Sequence, residues 1–255
     1  MKVSAKDNIV RDFASKQGSY YQSNYGDASP RTFIRRLRRQ MILECVGDAA
    51  MGADVLDAGC GPALLFPEIL ERCRSYTALD LTPSNLESIT AAIKDPRFTC
   101  VIGDMDTFSW GCKPVDVIIC SGALEYVDMP ERTLGRMVDS LREGGLLVCS
   151  LPNAHSPYRL WSEWVYAPVA RLLKRMRGNA PPHYPRRLFC ASTVKAQAER
   201  SARHVDVRFF GQRALLQPLD VLLPEWDVKA ARCLAASGGL WPKLLATEFL
   251  LAVRR

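Results

Sequence analysis

Val55-Leu56-Asp57-Ala58-Gly59-Cys60-Gly61-Pro62-Ala63 decides how this chain folds. Val55 and Leu56 read as the end of a buried strand, and Pro62 suits the first turn of a helix. The two glycines between them let the backbone bend sharply and leave room for a ligand. Leu64, Leu65, Ile69 and Leu70 then recur at helical spacing, predicting a helix over 63–73. Strand, glycine turn, helix is the junction at which open α/β sheets bind nucleotide-like ligands. A second strand from Tyr76 ends in Asp80, about twenty residues beyond the glycines, where a carboxylate accepts both ribose hydroxyls.

A dinucleotide site calls for a third glycine, so that the helix packs close and turns its N-terminus on a pyrophosphate. Leu64 occupies that position, and Asp57 stands directly before the turn. An acid there repels a pyrophosphate but suits a ligand carrying an ammonium and a sulfonium. A dinucleotide oxidoreductase is thereby the weaker enzyme reading.

Asp57-Ala58-Gly59-Cys60-Gly61 resembles motif I, D-x-G-x-G, of the class I S-adenosylmethionine-dependent methyltransferases. The resemblance implies a Rossmann-like α/β fold. Its seven-stranded, mostly parallel sheet has helices on both faces and an antiparallel last strand. It implies S-adenosylmethionine as cofactor, with Asp57, Gly59, Gly61, Asp80 and Leu81 among the residues that bind it and Asp80 at its ribose. Asp104 and Met105, after a third strand over 98–102, match the positions that take the adenine amino group and a ring nitrogen. Ser121, after the apolar fourth strand over 115–120, matches a backbone contact to the methionine end. Ser121-Gly122-Ala123-Leu124-Glu125-Tyr126-Val127 resembles motif IV of the branch containing the ubiquinone-biosynthesis O-methyltransferases, with Tyr126 where that branch carries histidine. Glu125 reads as a metal ligand or a helix-capping acid, and capping is the expectation. Residues 1–30, with Tyr20, Tyr21 and Tyr25, match a lid over the cofactor, and Tyr21 is the tyrosine assigned to it.

The rest of the chain follows the same alternation. A helix over 31–50 puts Ile34, Leu37, Met41, Ile42 and Cys45 on one face and arginines on the other. Pro83 opens a helix with Leu86, Ile89 and Ile93 inward, and a further helix runs over 130–142. Gly144-Gly145 then turns into a fifth strand over 146–151. A helix over 192–202, a sixth strand over 205–210 and a last strand over 247–253 complete the pattern. Between them, 155–188 reads as an inserted helical cap within a single domain over 31–255. Leu160, Trp161, Trp164, Val165, Val169, Leu172, Leu173 and Met176 make its apolar stripe, kinked at Pro168, with arginines and a lysine flanking its second half. The stripe either packs inward as the wall of an acceptor pocket or rests on a membrane surface through 157–177. Inward packing is the expectation.

With 255 residues, 48% hydrophobic and 24% charged, the composition is that of an ordinary globular chain. The apolar runs are too short to span a bilayer, and Met1–Val10 is unlike a signal peptide. Nine cysteines without a C-x-x-C pair read as reduced thiols, with no metal site. The expected location is cytoplasmic, with membrane association if the stripe faces outward. The net charge of +7 gathers on the early helix and on the cap, where it suits nucleic acid, an anionic membrane surface or an acidic substrate, or is simply a solvated basic face. Methyl transfer to a hydroxyl needs alignment and a base, for which His155 and His183 are the candidates, with Tyr126 beside them. The expected acceptor is a small molecule, aromatic, lipid-like or glycan. The alternatives are a nucleic-acid methyltransferase, although 121–124 lacks the base-flipping Asn/Asp-Pro-Pro-aromatic motif, and a non-catalytic scaffold of the same fold.

Overall fold

Alternation along Val117-Ile118-Ile119-Cys120 sends side chains to both faces of one strand, and all four are completely buried. A strand covered on both faces belongs in the middle of a layered sheet. The computed structural model describes residues 32–255 except 64, 111–112, 177–185 and 238. The lid with Tyr21, together with Leu64 and His183, lies outside the described residues.

In chain order the elements are α1 (Phe33–Val46), β1 (Asp54–Ala58), α2 (Phe66–Leu70), β2 (Ser75–Asp80), α3 (Pro83–Ala92), β3 (Phe98–Ile102) and β4 (Val115–Ser121). There follow α4 (Pro130–Asp139), β5 (Leu141–Pro152), α5 (Pro157–Trp161), α6 (Ala167–Met176) and α7 (Ala191–Ala198). The chain closes with β6 (His204–Gln212), α8 (Leu219–Leu222), α9 (Pro224–Ala236), α10 (Trp241–Leu245) and β7 (Ala246–Arg254). The seven strands form one sheet in the order β3-β2-β1-β4-β5-β7-β6. β7 runs antiparallel to both of its neighbours, and the strand pairs from β3 to β5 are parallel. This is the Rossmann-like architecture expected from the sequence.

Each face carries its own core. Ile42 and Val46 of α1, Phe66 and Ile69 of α2, and Leu86 and Ile89 of α3 pack on one side. Leu134, Met137 and Val138 of α4, with Val194 and Ala198 of α7, pack on the other. Full burial of such a side chain contributes about 1.5–3 kcal/mol, so these layers hold the sheet between them.

Several sequence expectations change; the fifth strand runs over Leu141–Pro152 rather than 146–151, and the helix expected over 192–202 ends at Ala198. The helix after the glycines begins at Phe66 rather than Ala63, because Ala63 adopts a left-handed φ of 48° that no helix admits. The helix from Pro130 stops at Asp139, and Arg142 instead pairs with Asp54 and Asp116 at the amino edge of the sheet. The cap stripe does not pack inward. Along α5, a π-helical turn over Ser162–Tyr166 and α6, every residue of the apolar stripe is exposed. No helix among the described residues is long and apolar enough to cross a membrane.

Candidate active site

Parallel strands end on the same edge of a sheet, and here the carboxyl ends of β1, β2, β3 and β4, or the residues next to them, line one cavity of about 440 Å³. The glycine turn forms its floor. Gly59 (φ 72°) and Cys60 donate their N–H groups to the Leu79 carbonyl, at 2.7 and 3.0 Å. Gly61 (φ 53°) donates to Asp80 Oδ2 at 2.7 Å, while Thr82 N–H holds Oδ1 at 2.8 Å. The Asp80 carboxylate is therefore fixed in direction at the strand end.

The two glycines serve different ends. A Cβ on Gly59 would lie 2.3 Å from that of Ala123, so this glycine allows the β1 and β4 loops to touch. A Cβ on Gly61 would meet nothing within 4 Å and would stand in cavity space.

Asp57 is completely buried. Tyr76 Oη donates to its Oδ2 at 2.6 Å, and its Oδ1 has no hydrogen-bond partner among the described residues. Burial lifts the carboxyl to about 7, the Tyr76 bond pulling the other way. Asp104 lines the cavity and accepts the Asp106 N–H on Oδ1 at 2.9 Å. Met105 is anchored through its carbonyl by Trp110 Nε1, at 2.8 Å. Leu81, Ser121 and Tyr126 line the same cavity. All the assigned cofactor residues that fall among the described ones thus meet in one place.

The opposite end of the cavity was not legible in the sequence. Arg38 of α1 makes a two-bond fork with the buried Glu248 of β7, its Nε at 2.8 Å from Oε2. Arg159 of α5 adds a 3.0 Å bond to the same carboxylate. Burial raises Glu248, but Arg38, Arg159 and Arg186 outweigh it and hold the carboxyl below its ordinary range. Tyr158 Oη donates to Asp220 at 2.6 Å, with the Arg213 guanidinium 5.4 Å from its ring centre. Arg186 stands 6.0 Å from the ring centre of Tyr126. Pairs separated by some 210 positions, as Arg38 and Glu248 are, leave no mark in local periodicity.

Glu125 caps no helix. It lies within a 3-10 turn over Leu124–Tyr126, buried at the cavity wall, and its Oε2 has no partner among the described residues. Burial raises its pKa against the pull of Arg38 and Arg186. Burial likewise raises Tyr126. His155 sits exposed on the turn after β5, its N–H bonded to Asn153 Oδ1, and does not line the cavity. A base must reach its acceptor, and this imidazole is outside the chamber. Asn153 is itself structural, its side-chain amide donating to the Ala246 carbonyl at 2.9 Å.

The cavity accepts S-adenosylmethionine on its own chemistry. An ammonium complements the orphaned Asp57 Oδ1, a diol suits the fixed Asp80, and the space beside Gly61 is open.

Residues 56–149 match a family described as the methyltransferase domain. Over 157 residues the chain is 26% identical to the ubiquinone biosynthesis O-methyltransferase of Rickettsia conorii, covering 60% of this chain and 52% of that protein. It is 29% identical over 123 residues to the malonyl-[acyl-carrier protein] O-methyltransferase of Chlorobium luteolum, covering 44% and 47% respectively. The chain thus spans about half the length of these curated relatives. Among solved structures, the N-methyltransferase NodS of Bradyrhizobium japonicum in complex with S-adenosyl-L-homocysteine superposes with a TM-score of 0.61. It is 16% identical and is matched over 99% of both chains.

Proposed function

The chain carries a class I, S-adenosylmethionine-dependent methyltransferase domain, and from that premise we propose that it methylates a small-molecule acceptor, on oxygen. The observation that carries the reading is the Asp80 carboxylate, clamped by Gly61 and Thr82 at the mouth of a chamber that also holds Asp57 and Asp104. Asp80 receives the ribose hydroxyls, Asp57 the ammonium and Asp104 the adenine amino group. Bound there, S-adenosylmethionine supplies a methyl group already activated by its sulfonium.

The protein has three tasks left: to align the acceptor, exclude water and take a proton. Glu125 is the proton acceptor we assign. It is the buried carboxyl at the acceptor end with an oxygen not engaged by any described residue, and burial brings it closer to neutrality. Tyr126 lies beside it as a hydrogen-bonding wall. Arg159 and Arg186 give this end a positive surface suited to an acceptor bearing a carboxylate or phosphate. The relatives named as O-methyltransferases support transfer to oxygen.

Calorimetric titration of S-adenosylmethionine, S-adenosylhomocysteine and NAD into wild type and Asp80→Ala tests the reading. The first two should bind, NAD should not, and the variant should bind at least about tenfold more weakly, since it loses charge-assisted hydrogen bonds. Failure of wild type to bind either sulfur compound would overturn it in favour of a scaffold that keeps only the fold.

A further inference from the structure

Large apolar side chains are exposed mainly in two segments of the chain that meet each other. Among the described residues all of them except Met51, Ile102 and Met129 lie within 160–176 and 216–244. Trp164, Trp226 and Trp241 are 76%, 69% and 64% exposed. The two segments are joined: Trp161 Nε1 donates to the Gln217 carbonyl at 2.8 Å, and Tyr158 to Asp220. In α6, Val169, Leu172, Leu173 and Met176 recur at helical spacing, while Arg171, Lys174 and Arg175 take the other side.

Monomeric proteins rarely expose a contiguous apolar patch of this kind without a partner for it. Its charge selects the partner. Lys174, Arg175, Lys229, Arg232 and Lys243 stand exposed in these segments, whereas Asp220 and Asp227 are buried in pairs with Arg213. Glu163 and Glu225 are the remaining carboxylates there. A cationic face repels a second copy of itself. Exposed tryptophan and leucine bordered by lysine and arginine instead match the boundary between acyl chains and anionic headgroups.

We propose that this face, formed by 160–176 and 216–244, docks on the surface of a bilayer containing anionic phospholipid. α5 links the surface to the chamber, because it puts Trp161 on the docking face and Tyr158 and Arg159 into the cavity wall. The acceptor is accordingly an amphiphile whose tail stays in the bilayer while its head enters the chamber, a clause that rests on the methyl-transfer reading. Docking itself does not.

The test is sedimentation of the full chain with phosphatidylcholine vesicles, with or without a minority of phosphatidylglycerol. The chain should pellet with the mixed vesicles. Affinity should drop about tenfold or more on omission of phosphatidylglycerol, in high salt, and in Lys174→Glu/Arg175→Glu. Leu172→Ser/Met176→Ser and Trp226→Ser should weaken it similarly, with thermal midpoints unchanged because all three positions are exposed. Absence of wild-type binding, or variants that bind as wild type does, would overturn the proposal. So would concentration-dependent self-association in light scattering that the serine variants abolish. Calorimetry with S-adenosylmethionine on the same samples separates the two readings: vesicle binding without cofactor binding would sink methyl transfer and leave docking in place.

Discussion

Gly59 and Gly61 look equivalent in the motif, yet replacing each with alanine should fail differently. Gly59→Ala drives a methyl into Ala123 from a left-handed backbone, a combination of overpacking and strain worth about 2–4 kcal/mol. It should lower the urea midpoint markedly. Gly61→Ala carries only the backbone strain, about 1–2 kcal/mol, but puts its methyl in the chamber. It should remain folded and lose cofactor affinity by more than its stability loss explains. Asp57 makes a second prediction at this scale. Its carboxyl, raised to about 7 by burial, is largely protonated at pH 6. A ligand ammonium favours the ionised form, so binding at pH 6 releases a proton, and affinity rises about fivefold between pH 6 and pH 7. Calorimetry in two buffers of different ionisation enthalpy reads the released proton directly, and Asp57→Asn should abolish it.

Among the elements, α1 and β7 depend on a single carboxylate. Glu248 is 3% exposed and holds Arg38 of α1 and Arg159 of α5. Glu248→Ala leaves two guanidinium groups in a largely buried site without their counterion, which costs about 3–5 kcal/mol when one partner of such a pair is removed. Urea unfolding of Glu248→Ala and Glu248→Gln should show the loss, and a midpoint near wild type would refute the pairing. The central strands were readable because buried parallel strands are continuous apolar runs, as over 115–120, which falls within β4. Their carboxyl ends were readable for the same reason, since parallel strands bring them to one edge. Ala63 hid the true start of α2, because a left-handed alanine has no sequence signature. The stripe of the cap announced amphipathicity but not direction: a 3.6-residue period says that one face is apolar, never what covers it. Arg38–Glu248 and the Glu125 site arise only when distant elements meet.

For the whole molecule, charge pairing sets the response to acid. Hydrogen bonds from Arg74, Arg97 and Arg208 hold Asp54, Asp95 and Asp206 below the ordinary carboxylate range. Asp116 is lowered by Arg142 in spite of burial, and Glu248 by its arginines. The unfolded chain takes up protons at higher pH than these folded groups do. The stabilisation they contribute is therefore present above the unfolded carboxylate pKa and is lost as pH falls through their folded values. Asp57 and Glu125 have the opposite sign, both raised by burial: each adds stability at low pH and withdraws it as pH rises above the unfolded carboxylate range, for Asp57 through about 7. Thermal scans should show the midpoint falling steeply below about pH 4. Asp54→Asn should flatten that limb, and Asp57→Asn should gain on wild type from pH 4 to pH 7.

β7 lies between β5 and β6, bonded to both. A ribosome makes β6 more than thirty residues before it makes β7, as the span from Gln212 to Ala246 shows. Throughout that interval β6 has no hydrogen-bonded neighbour in the sheet, and β5 presents an open edge. The interior slot is closed by the strand emerging last of the seven, so the sheet zips shut only when synthesis has passed Arg254. Until then, one copy's open edge is a template that another copy's late strand can fill, and crowded nascent chains are where exchange between molecules would begin.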